Sequence, residues 1–232
     1  MNGFLSNKAS VSFNELSTMN DQNAKDNTID FYNDNAQAFV EQTLNVDMQA
    51  LYEPFIASLP ATNQSQQRIL DLGCGSGRDS LHFADLGFKV TAIDDSTTLI
   101  DLAKNIHYRN KAYRNNIDWH RCTFQDISQK NWKKQFIGIW ACASLLHMPY
   151  AELPVLIDNL LDTLANDGVF YASFKYGDSE RLNNNRFFCD MNEDRWETLK
   201  QKLNHDFNDE IWLTEDQRTD RNGRWFNILI KR

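Results

Sequence analysis

Three groups of residues in this chain are of a type and spacing that could do chemistry. The first is a run of glycines, Gly73, Gly75 and Gly77, directly after the apolar segment 69–72. Glycine takes turn conformations that a side chain obstructs. Without Cβ atoms, Gly75 and Gly77 let a ligand lie against bare backbone, and the unpaired N–H groups of a following helix point at it. The second group is acidic. Asp71 stands two positions before Gly73, and Asp94 stands 21 residues after it, at the end of the apolar segment 88–93. An acid there can accept both hydroxyls of a ribose. Cys74 and Ser76 between the glycines, and Asp95 and Ser96 after Asp94, join them as cofactor-binding candidates. The third is His147, whose ordinary pKa of about 6.5 suits it to proton transfer.

These residues need strands and helices to hold them. Segments 69–72, 88–93, 117–122, 136–144, 169–175, 210–216 and 224–230 read as strands, the fourth almost wholly apolar, as a strand buried on both faces should be. Ile29, Tyr32, Ala36, Phe39 and Val40 recur at helical spacing, and further helices are expected over 47–59, 79–86, 97–105 and 150–165 and from 192 onward. Ser96 is a suitable N-cap, Pro154 sits in a first turn where proline is tolerated, and Asn222-Gly223 signals a hairpin. In open parallel sheets ligands bind beyond the carboxyl ends of strands, which puts Cys142, Ser144 and His147 near a reacting centre. Residues 176–191 break the periodicity. That stretch reads as a loop carrying polar, basic and aromatic side chains for substrate selection, with Lys175, Tyr176 and Arg186 as candidates.

The pattern Asp-x-Gly-x-Gly-x-Gly followed by a strand ending in Asp resembles the Rossmann-like S-adenosylmethionine-dependent methyltransferases. Nicotinamide-binding folds use a similar loop, but with Gly-x-Gly-x-x-Gly spacing. Gly73-Cys-Gly-Ser-Gly-Arg-Asp-Ser80, with its arginine after the last glycine, looks like the tellurite-resistance-like small bacterial branch. The resemblance implies an α/β, single-domain fold: a mostly parallel seven-stranded sheet with a C-terminal antiparallel hairpin and an N-terminal helical lid. It divides the chain into a poorly ordered leader over 1–26 and a methyltransferase domain over 27–232, with lid helices over 27–66 and the core over 67–232. The leader also contains Met19, an alternative start.

The resemblance assigns roles as well. S-adenosyl-L-methionine is the implied cofactor. Gly73, Gly75 and Gly77 seat its methionine portion, Asp71 orients the ammonium, and Asp94 grips the ribose. Thr123 to Ile127 falls where the adenine ring binds, so Phe124, Gln125 and Asp126 are candidates, the last two unranked. Tyr32 lies on a segment similar to the helix that folds over the methionine end in this class, where an aromatic face suits a sulfonium. It is equally readable as a core aromatic. His147 is the candidate base, against a reading in which it only packs or caps.

Composition narrows the partners. Net charge is −8, which repels polyphosphate unless basic residues gather, and the one basic stretch, Lys104 to Arg121, reads as a solvated helix end and loop. No Asn-Pro-Pro-Tyr-like segment follows the fourth strand, so nucleic acid is not the expected acceptor. No run reaches the roughly 18 apolar residues of a membrane span. The four cysteines stand far apart, without metal-ligand spacing, as suits reduced thiols in the cytoplasm. The expected activity is methyl transfer to a small molecule by in-line displacement. The other readings are a protein or RNA methyltransferase, a catalytically inactive cofactor-binding module, and a nicotinamide-dependent reductase. The sequence leaves the acceptor and the oligomeric state open.

Overall fold

The computed structural model describes residues 21–61, 67–109, 116–218 and 221–232. The elements in order are α1 (Asp21–Asp34), α2 (Ala36–Thr43), α3 (Gln49–Ser58), β1 (Arg68–Leu72), α4 (Arg78–Asp85), β2 (Lys89–Asp94), α5 (Thr97–Arg109), β3 (Ile117–Arg121), β4 (Phe136–Ala141), α6 (Leu153–Thr163), β5 (Leu164–Lys175), β6 (Glu180–Asn183), β7 (Arg186–Cys189), α7 (Glu193–Lys200), β8 (Asn208–Glu215) and β9 (Arg224–Lys231). Short 3-10 turns follow β3 (Gln125–Gln129) and β4 (Leu145–His147).

The chain has the expected Rossmann-like methyltransferase fold, a seven-stranded sheet in the order β3-β2-β1-β4-β5-β9-β8. β1 to β5 run parallel, and β9 runs antiparallel between β5 and β8. Ile69, Leu70, Leu72, Ile139, Trp140 and Ala141 of the two central strands are buried, which explains the apolar run of β4 and, apart from Asp71, of β1. One face packs Phe55, Phe83, Trp140 and Tyr171; the other packs Leu160, Phe170, Phe174, Trp196 and Phe226. The direction of strand succession reverses between β1 and β4. A crevice opens there, beyond their carboxyl ends, with the glycine loop on one side and Cys142 to Ser144 on the other.

Four features differ from the sequence reading. Helix α1 begins at Asp21, across the boundary expected at 26/27, and residues 1–20 lie outside the described residues. The first helical pattern is two helices, because Asn35 leaves helical geometry (φ −110°, ψ 15°) between α1 and α2. β5 begins at Leu164: the Asn166-Asp167-Gly168 turn is a bulge within it, with Asp167 at φ 61° and the β4–β5 register jumping between Phe136 and Gly138. Finally, 176–191 is no irregular loop. It holds a hairpin, β6–β7, turned by Asn184 and Asn185 at φ 50° and 61°, the positive values that a two-residue hairpin turn requires. Among the described residues no helix is long and apolar enough to cross a membrane.

Candidate active site

A cavity of about 340 Å³ fills the crevice. Its floor is the glycine loop, the end of β2 and the turn after β4; its roof is α1, α2 and the β8–β9 hairpin. The roof is tied down by polar contacts. The Thr43 hydroxyl donates to Ser76 Oγ (3.0 Å), the Ser96 hydroxyl to Asn33 Oδ1 (2.7 Å), and the Phe187 N–H to the Thr28 hydroxyl (3.0 Å). Lys25 pairs with Glu152 at 2.6 Å.

Gly73, Gly75 and Gly77 have φ of 72°, 52° and 78°. Gly73, Cys74, Gly75 and Ser76 line the cavity. The missing Cβ atoms, however, make room for protein. A Cβ on Gly73 would stand 2.5 Å from Ser144 Cβ, one on Gly75 3.0 Å from the Phe39 ring of α2, and one on Gly77 2.8 Å from Trp119. Gly77 packs against Trp119 and is not among the residues that line the cavity. Asp94 faces the cavity. Its Oδ2 accepts the Gly75 N–H and its Oδ1 the Ser96 N–H, both at 2.9 Å. Burial pushes its pKa up to about 6, against the lowering effect of those N–H groups. Asp95, Phe124, Gln125, Cys142 and Ser144 also line the space. The Ser144 hydroxyl oxygen is buried with no hydrogen-bond partner among the described residues.

Four more candidates stand elsewhere. Asp71 is buried beneath the loop, where its carboxylate accepts from the Ser80 hydroxyl (2.5 Å), and burial raises its pKa to about 8. It braces β1 against α4 and does not reach the cavity. Ser96 is fully buried and caps α5, accepting the Leu99 N–H at 3.1 Å. Asp126 closes its own turn, exchanging hydrogen bonds with Thr123. The Tyr176 hydroxyl points outward to Glu193 at 3.2 Å.

A carboxylate that sequence reasoning passed over takes the cavity wall in place of Asp71. Asp79, the second residue of α4, accepts two hydrogen bonds from Arg78 (2.6 and 2.9 Å), one from the Tyr52 hydroxyl (2.5 Å) and one from the Trp140 indole (2.9 Å). Burial opposes its charge, but Arg78 and these donors hold its pKa below the usual carboxylate range. The Arg-Asp pair after the last glycine was the available signal.

At the far end of the cavity, Tyr32 and His147 meet. The Tyr32 hydroxyl lies 2.9 Å from His147 Nε2, and His147 Nδ1 lies 2.7 Å from the Phe187 carbonyl oxygen. A carbonyl only accepts, so Nδ1 carries the proton, and Nε2 accepts from Tyr32. Burial pushes His147 down to about 4, with Arg186 lowering it further against the Phe187 bond, so the ring is neutral at pH 7. Burial raises Tyr32, and the Arg186 charge opposes that rise. Lys175 and Arg186 line the same end, Lys175 with Nζ 4.6 Å from the Trp225 ring centre. Burial and the nearby Asp79 push the Cys142 thiol up to about 12, which makes it no nucleophile.

Residues 69–168 match a family model described as "Methyltransferase domain". No curated protein matches the chain. Among solved structures it is similar to a Burkholderia thailandensis 1,6-didemethyltoxoflavin-N1-methyltransferase with bound 1,6-didemethyltoxoflavin and S-adenosylhomocysteine (17% identity, 99% of this chain and 98% of that one, TM-score 0.67). It is similar to the magnesium protoporphyrin IX methyltransferase of Synechocystis with bound S-adenosylmethionine (17%, 93% and 99%, TM-score 0.66). It is also similar to the cyclase SpnF (18%, 79% and 80%, TM-score 0.59). At these identities the structural likeness establishes the fold. The family model describes residues 69–168, fewer than half of the chain, as a methyltransferase domain, and two of these structural neighbours hold S-adenosylhomocysteine or S-adenosylmethionine.

Proposed function

We propose that this protein transfers a methyl group from S-adenosyl-L-methionine to a small-molecule acceptor, and that Tyr32 and His147 manage the acceptor's proton. The observation that carries this reading is that the Tyr32–His147–Phe187 chain opens onto the same cavity as the glycine loop and Asp94.

The residues present suit the cofactor. Asp94 keeps free lone pairs beyond its two backbone contacts, as an acceptor of paired ribose hydroxyls needs. Ser144 offers a buried hydroxyl with no partner among the described residues, beside Gly73, for the polar methionine end. Phe124 and Gln125 supply an apolar face and an amide for the purine. Tyr32 and Phe39, edge to face at 5.3 Å, give an aromatic wall near the loop. When bound, this cofactor supplies an electrophilic methyl whose departing sulfur leaves neutral.

What remains for the protein is alignment and proton handling. Alignment alone can be worth about 7–11 kcal/mol. As positive charge develops on the acceptor, Tyr32 can accept its proton while passing its own to His147 Nε2. The low pKa of His147 makes this a relay that works in concert with transfer rather than a standing base. Arg78, which motivated the tellurite-resistance-like resemblance, is committed to Asp79, and no tellurium chemistry is proposed. The cavity volume of about 340 Å³ and the net charge of −8 favour a small molecule over a protein or RNA acceptor. A cytoplasmic setting goes with the four free cysteines.

The test is incubation with methyl-labelled cofactor and a metabolite extract, with protein and RNA offered separately. Label in a low-mass product supports the reading. Label confined to protein or RNA overturns the acceptor class, and cofactor binding with no transfer to any of the three leaves an inactive binding module.

A further inference from the structure

Arg186, the first residue of β7, points into the acceptor end of the cavity with its charge unmet. Its guanidinium lies over Phe31 at 4.3 Å, Phe188 at 5.2 Å and Tyr32 at 5.9 Å from the ring centres. Among the described residues its buried Nε has no hydrogen-bond partner and no carboxylate lies within ion-pair distance, although the guanidinium also interacts with the Tyr32 hydroxyl. The other arginines on the cavity wall are engaged: Arg78 with Asp79, Arg218 with Asp216, and Arg221 with the Gln42 side chain. Lys25, on the roof, is paired with Glu152. Lys175 and the exposed Arg221 also lack an ion pair among the described residues, and burial lowers the Lys175 pKa. The acids on this wall are Asp216, bound to Arg218, and Glu215, which is exposed.

Arg186 is half-buried with its Nε enclosed, and aromatic faces repay only part of the cost of partly desolvating a charge that has no counter-ion beside it. The surrounding rings restrict where the guanidinium can sit, and its donor fork matches a carboxylate or phosphate with two parallel hydrogen bonds. We propose that Arg186 is the anchor for an oxyanion on the acceptor, a carboxylate or a phosphate, with Lys175 supplying a second positive charge. The proposal rests on the methyl-transfer reading of the same cavity and deepens it. An acceptor gripped by its anionic end places its remaining groups beside the Tyr32 hydroxyl, so Arg186 selects substrates that carry both an oxyanion and a methylatable atom.

Calorimetry on the full chain, with and without S-adenosylhomocysteine, tests this with three probes of similar size: benzoate, phenyl phosphate and the neutral benzamide. The expected result is that at least one anion binds ten-fold or more tighter than benzamide. Arg186→Gln should erase that preference while S-adenosylhomocysteine affinity stays within two-fold, and Arg186→Lys should keep part of it. Equal affinities, no measurable uptake of either anion, or a preference that survives in Arg186→Gln overturns the proposal. Failure to take up S-adenosylhomocysteine would instead remove the methyl-transfer reading, because the anion comparison is decided without it. Should Arg186→Gln fail to fold, wild type against Arg186→Lys still decides, since loss of the fork alone must weaken the preferred anion.

Discussion

The hydroxyl of Tyr32, on a roof helix, donates to Nε2 of His147, on the floor, across 2.9 Å. One contact therefore joins closure of the cavity to the protonation state of its candidate proton acceptor. The Phe187 carbonyl, accepting from Nδ1 at 2.7 Å, fixes the tautomer that makes the contact possible.

Removing either partner should slow transfer without loosening the cofactor. Tyr32→Phe keeps the ring and its packing on Phe39 but deletes the relay oxygen, and His147→Ala deletes its end. General acid–base assistance is typically worth about 10²–10⁴-fold, so both variants should lose kcat on that scale, with cofactor affinity by calorimetry nearly unchanged. A normal kcat in Tyr32→Phe would reduce the pair to a structural tie.

Acidification should act on Asp94 before His147. Burial raises Asp94 to about 6 and lowers His147 to about 4. As pH falls through 6 the Asp94 carboxyl takes up a proton and ceases to accept from two ribose hydroxyls, while the imidazole is still neutral. Cofactor affinity should therefore fall by about ten-fold per pH unit below that point. Asp94→Asn should bind weakly at every pH and show no such slope. Calorimetry from pH 8 to pH 5 decides; a flat wild-type profile removes Asp94 from ribose recognition.

Much of this was legible beforehand because it follows from local sequence. The apolar runs of β1 and β4 exist because both faces are covered, and Ser96 caps α5 as its type suggests. The glycines marked the loop, but the reason for them was not legible. Spacing cannot say that Ser144, Phe39 and Trp119 close in on the three vacant Cβ positions, since those neighbours are 36 or more positions away in the chain. Asp71 and Asp79 show the same limit. Both are acids flanking one loop, and only the path of the chain decides that Asp79 turns to the cavity. The β6–β7 hairpin was missed for a different reason: Asn184-Asn185 is a turn signal, but the strands are four residues each and carry no clean alternation.

Alanine at two glycines should separate strain from crowding. Gly87 has φ 94° and open space where a Cβ would go, so Gly87→Ala should cost only about 1 kcal/mol of strain. Gly73→Ala adds a clash with Ser144 Cβ at 2.5 Å, and crowding of this sort costs roughly 1–3 kcal/mol more. It should also weaken cofactor binding, since Ser144 must move from the cavity floor. Urea unfolding measures the first effect and calorimetry the second. Equal stabilities for the two variants would mean that the loop yields freely.

Asp79 should matter more to stability than its surface position in the sequence suggests. Four hydrogen bonds from three residues converge on one carboxylate, and its side chain is 10% exposed. Asp79→Asn leaves the Arg78 guanidinium without its counter-charge and turns part of an acceptor-only group into a donor facing other donors. Breaking a buried pair from one side costs about 3–5 kcal/mol, whereas replacing both partners with apolar groups is often far milder. The double variant Arg78→Met, Asp79→Leu should accordingly recover part of the stability lost in Asp79→Asn, although the Tyr52 hydroxyl and Trp140 indole keep it below wild type. Urea midpoints for the three proteins decide. A double variant less stable than Asp79→Asn would show that the carboxylate serves mainly Tyr52 and Trp140, with Arg78 incidental.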